Sequence, residues 1–225
     1  MFVRLKNIGK YIFGTLVLLG IALAANARVP KDTDFGVWND LSVMKKIQSN
    51  SLGLFGAFYT NDNSRSIDRI SIGVKGERPV NHWLNAGVGY ALMNFVHPGY
   101  NELRDRFYIQ AEPFWHLSKF IFSFRQRMQL TLYPHSQTNA SNTFHWRNRL
   151  EVCYRNPTLK MEPLADVESW YLFGNHDDNH FAEFRFILGA NYHLTQYQKV
   201  KFYGMLTDGT ILNRFILGIS YELQL

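Results

Sequence analysis

The stretch that decides the fold is residues 119–133, KFIFSFRQRMQLTLY. Phe120, Phe122, Phe124, Met128, Leu130 and Leu132 fall on one face, interrupted only by Gln126, while Ser123, Arg125, Arg127, Gln129 and Thr131 fall on the other. A period of two is the repeat of an extended strand, whose successive side chains point to opposite faces. The same alternation returns at residues 66–77, 82–92, 103–112, 143–154, 181–192 and 212–225, and more weakly at 34–44, 50–59, 160–172 and 197–206. No window of a dozen residues after residue 28 carries a helical stripe, so the fold expected is all-β.

Composition narrows the class. The 225 residues are 46% hydrophobic and 16% aromatic, which excludes a disordered chain, and one cysteine excludes a disulfide scaffold. The mean hydropathy of −0.20, with no second long apolar run, excludes a polytopic helical membrane protein. No linker or shift of composition divides the chain, so one barrel domain is expected.

The start of the chain reads as an export signal. Arg4, Lys6 and Lys10 precede an uncharged run over residues 11–27, and Ala25-Asn26-Ala27 supplies the small residues of a cleavage site before Arg28. Removing residues 1–27 would take three cations and none of the acids, lowering the formal charge from +6 to +3. The basic balance is then no argument for a nucleic-acid partner. In an oxidising compartment Cys153 has no partner in its own chain, so it is expected as a small buried residue.

Alternation alone fits either a soluble sandwich or a membrane barrel. Three features favour the barrel. Several runs reach 10–14 residues, beyond the usual five or six of a soluble strand. The polar faces are dense in arginine, glutamate and glutamine, as an enclosed lumen requires, and Trp83, Trp115, Tyr192 and Tyr197 gather at the short-turn ends, where an interfacial girdle belongs. Short connections near 45–49, 78–81, 116–118, 155–159 and 194–196 alternate with longer ones near 60–65, 93–102, 133–142, 173–180 and 207–211. The expected architecture is an antiparallel up-and-down transmembrane β-barrel in a Gram-negative outer membrane. A closed single-chain barrel of this kind has an even number of strands. Eleven strand-like segments therefore become ten over residues 50–225, with residues 28–49 set in or beneath the lumen, or twelve if one strand is missed.

The last strand, with Gly218-Ile219-Ser220-Tyr221 before Leu223 and Leu225, resembles the terminal strand read by the barrel-assembly machinery. Residues 212–225 are thus a candidate contact for that machinery, alongside outer-membrane lipids as the surrounding partner. Together with Trp38, the triplet Arg149-Leu150-Glu151 and Glu168 in the next strand, this layout resembles the family called domain of unknown function 2490. The resemblance implies an outer-membrane barrel with no assigned activity.

The lumen-facing candidates are Arg104, Arg106, Glu112, Arg125, Arg127, Arg147, Arg149, Glu151, Glu168, Glu183 and Arg185. They suit an anion-selecting constriction or ligand site, or a structural ladder of paired charges. No cofactor is expected. His176, Asp177, Asp178 and His180 in the loop GNHDDNH could ligate a cation, but a solvated loop explains them as well, and no metal is assigned. Gly87-Val88-Gly89 has no phosphate-binding context, and there is no G-x-S-x-G elbow. Ser123 and His145 share the inward parity that a hydrolase pair would need. An enzymatic role stays open and the non-enzymatic one is preferred: a charged, largely occluded barrel acting as a narrow pore or envelope component. A lipid-modifying hydrolase and a soluble ligand-binding sandwich are the alternatives.

Overall fold

A computed structural model describes residues 33–134, 141–156, 158–174, 180–209 and 213–225. The expected export signal at 1–27 and most of the GNHDDNH loop lie outside them. Each alternating segment of the sequence becomes a strand: β1 Thr33–Ile47, β2 Asn50–Asn61, β3 Ser66–Asn81, β4 Leu84–His97, β5 Tyr100–Leu117, β6 Phe120–Leu132, β7 Thr143–Tyr154, β8 Met161–Phe173, β9 His180–His193, β10 Gln198–Gly209 and β11 Asn213–Gln224. They close into one barrel in sequence order. A single closed sheet rules out the two-sheet sandwich.

The structure corrects the expected strand number. Ten junctions are antiparallel, but β1 closes the ring against β11 in parallel, from Thr33 opposite Asn213 to Met44 opposite Gln224. Residues 33–47 are therefore wall and not a lumenal segment. The even-number rule assumes that every junction is antiparallel, and one parallel seam lets eleven strands close. The seam extends past its ladder: the Lys46 amide donates to the Leu225 carbonyl at 3.2 Å, and the Leu225 amide to Met44 at 2.7 Å.

One rim carries the turns 48–49, 82–83, 118–119 and 194–197 and the ends of β7 and β11; the opposite rim carries the turns 62–65 and 98–99 and the ends of β6, β8 and β10. The long connection expected near 93–102 is a second correction. β4 and β5 run on until only Pro98 and Gly99 separate them, with Gly99 at φ 90°, the left-handed geometry that follows proline in a tight type II turn.

The two faces sort as the sequence requires. Outward lie large apolar side chains that stay exposed, among them Leu54 at 64%, Ile72 at 67% and Ile109 at 58%. Inward, small apolar clusters form around Trp38, Met205 and Ile216, and around Ala91, Met93 and Phe95. Gly218 faces inward where the ring of Tyr203 lies over it; a Cβ there would fall 1.9 Å from the ring. Cys153 is buried and free, as expected.

Candidate functional site: the charged lumen

Inward parity brings the candidate residues together, and bonds between non-neighbouring strands show that they meet across the enclosed space. Glu168 on β8 is the centre. Its carboxylate accepts from Arg147 on β7 at 2.9 and 3.0 Å, and from Arg125 on β6, two strands away, at 2.7 Å. Arg185 on β9 stands 3.6 Å away, and the Trp170 indole donates at 3.0 Å. With Glu168 only 2% exposed, such a buried acid requires paired, hydrogen-bonded partners. The Trp170 ring lies against two of these cations, with Arg147 at 3.8 Å and Arg185 at 4.2 Å from its centroid.

A second group lies toward the short-turn rim. Arg149 reaches Glu112 on β5 at 3.4 Å and Glu151 on its own strand at 3.8 Å. Lys201 on β10 joins Glu151 at 3.5 Å and Asp166 at 3.7 Å. Closer to the rim, Glu162 pairs with Arg155 and with His193 at 3.2 Å. Its hydrogen bond raises the Arg155 guanidinium, in the β7–β8 turn, above its ordinary pKa.

Toward the opposite rim the pairs are local. Arg104 donates to Glu102 at 2.9 Å and lies over the Phe95 ring at 3.7 Å, and Arg185 donates to Glu183 at 3.0 and 3.1 Å. Arg127 holds an amide instead of a carboxylate, donating to Gln110 at 2.6 and 3.0 Å with the Tyr108 ring 4.0 Å away. Among the described residues Arg106 makes one hydrogen bond, to Thr131 at 3.4 Å. All eleven candidates thus face one interior, and all but Arg106 and Arg127 make ion pairs among the described residues.

Several participants were not among the candidates. Lys201 sits in a weakly alternating segment and Asp166 in a run of mixed polarity, so neither stands out. Arg69 lies over Trp38, Tyr59 and Phe95 at 5.5, 4.4 and 5.3 Å. Its inward parity opposite Ile70 and Ile72 was the available signal. The possible hydrolase pair does not meet. Ser123 lies opposite Glu151 and His145 opposite Gln129, six residues along β6, or roughly 20 Å of strand. Among the described residues no group of three or more His, Cys, Asp or Glu side chains could hold a metal ion.

These features define a class: a closed β-barrel, apolar outside, with its lumen cross-braced by ion pairs. The chain belongs to the family described as protein of unknown function DUF2490, which matches residues 35–209. Among solved structures it is similar to the β domain of the Bordetella autotransporter BrkA, with a TM-score of 0.51 and 9% identity over 79% of this chain and 82% of that one. At that identity the likeness is one of fold. No curated protein matches the chain.

Proposed function

We propose that this protein is a transmembrane barrel of a Gram-negative outer membrane, its apolar wall in lipid and its lumen largely occluded by ion pairs, serving as an envelope component or at most a narrow pore. The observation that carries this reading is the inversion of polarity. Leu54, Ile72, Ile109 and Phe202 (53%) are among many large apolar residues left exposed over the outer wall, while Glu168 and its arginines are enclosed. A water-soluble monomer does not expose apolar surface on that scale. Trp83, Trp115 and Tyr197, each about half exposed toward the short-turn rim, suit an interfacial girdle at the periplasmic side. The fold likeness to an autotransporter β domain supports the same location.

In this reading the surrounding partners are outer-membrane lipids, and strand 212–225 is the segment offered to the assembly machinery. The test is mobility on gels of the outer-membrane fraction, run with and without boiling. A mature chain that migrates faster unboiled and needs detergent for solubility supports the proposal. A chain that is freely soluble and monomeric without detergent overturns it.

A further inference from the structure

The lumen's ion pairs leave one region out of balance. Arg106 has no carboxylate within ion-pair distance among the described residues, and its hydrogen bond to Thr131 is long, at 3.4 Å. The charges that act on it most strongly are Arg69, Arg147 and Arg185, all of its own sign. Arg147 and Arg185 are already committed to Glu168, and Arg69 rests on aromatic faces.

The surrounding groups add unused donors. Gln129, with none of its surface exposed, gives its Oε1 to Arg147 at 3.1 Å, and among the described residues its Nε2 has no acceptor. The Nε of Arg147 has none either. Arg106 itself keeps part of its surface open. Like charges gathered in an enclosed space, beside buried donors without acceptors, call for an anion. The planar guanidinium fork of Arg106 suits a bidentate oxyanion better than a point charge.

We propose that the lumen, on the side of the 62–65 and 98–99 turns, holds an oxyanion site of phosphate type centred on Arg106, with Arg69, Gln129 and Arg147 around it. The site needs only the barrel interior, so it can be tested apart from the membrane reading, although the possible ligands depend on that reading. A free phosphate could enter the lumen, and a lipid-borne phosphate could dip in from the rim.

The experiment uses the full chain folded in detergent, titrated at constant ionic strength with inorganic phosphate in one arm and short-chain phosphatidic acid in the other, with chloride as reference. The readouts are the unfolding temperature and the emission of the tryptophans, two of which, Trp38 and Trp170, line this region. A saturable rise with inorganic phosphate supports a free oxyanion, and a rise with phosphatidic acid alone supports a lipid-borne one. Arg106→Gln should abolish the response, and Arg106→Lys, which keeps the charge but loses the fork, should weaken the midpoint about tenfold, equivalent to one lost charge-assisted hydrogen bond. Lys199→Gln, at an exposed pair, should leave it unchanged. Should Arg106→Gln fail to fold, the lysine variant and binding of phosphate to the wild type by equilibrium dialysis carry the test. The site is overturned if neither phosphate outperforms chloride, or if the Arg106 variants respond like the wild type. If the site fails while boiling still shifts the gel mobility, the membrane proposal stands.

Discussion

A carboxylate that serves three guanidiniums cannot be removed cheaply. Glu168→Gln keeps the shape and leaves Arg125 and Arg147 short of a counter-charge inside the barrel, while Arg185 keeps Glu183. The expected loss is about 3–5 kcal/mol of folding stability, measured by urea unfolding of the detergent-folded barrel. Glu222→Gln breaks only the half-exposed pair with Lys199, 3.2 Å long, and should cost less than about 1 kcal/mol. On the outer wall the logic reverses. Gln126 and Asn148 face each other across β6 and β7 near the middle of both strands, and Asn148 Oδ1 is buried without a hydrogen bond among the described residues. Asn148→Leu is expected to raise stability by roughly 1 kcal/mol in lipid or detergent. At this scale parity told which residues face inward, because side-chain direction alternates strictly along a strand. It could not tell which acid meets which base: Arg125 and Glu168 are 43 positions apart, and nothing local links them. Arg69, on the inward face but outside the candidate set, is harder to single out for a related reason, since its partners are rings supplied by β1, β2 and β4.

The eleven strands were legible as elements, and their observed bounds lie within about five residues of the alternating segments, longer at some ends and shorter at others. The seam between β1 and β11 was not. A strand paired in parallel shows the same alternation as one paired antiparallel, so the pattern finds the strand and leaves its partner open. The register makes the seam testable. Val37 lies opposite Leu217, and adjacent strands are about 4.8 Å apart, within reach of a disulfide. Val37→Cys with Leu217→Cys should therefore cross-link on mild oxidation and shift gel mobility, while Val37→Cys with Phe215→Cys should cross-link far less. The terminal strand has its own constraint: Gly218→Val would drive a branched side chain into the Tyr203 ring and should lower the yield of folded barrel.

For the molecule as a whole, the ion pairs act as struts between walls that a wider barrel would leave apart. Reconstitution in planar bilayers should give no large, long-lived conductance. If small events occur, Arg127→Glu with Arg149→Glu should reduce their preference for anions. Large porin-like steps in the wild type would contradict the cross-braced lumen. Barrel class and polarity were open to sequence reading because they depend only on alternation, whereas the degree of filling depends on long side chains converging from opposite walls.

An odd number of staves also has a directional outcome. β1 sets out from the edge where β11 sets out, and the two travel side by side, so the wall's first and last residues finish at opposite mouths. With the barrel in the outer membrane as proposed, epitopes spliced ahead of Asp34 and behind Leu225 would then be displayed to different compartments, and antibody labelling of intact cells would find one and miss the other.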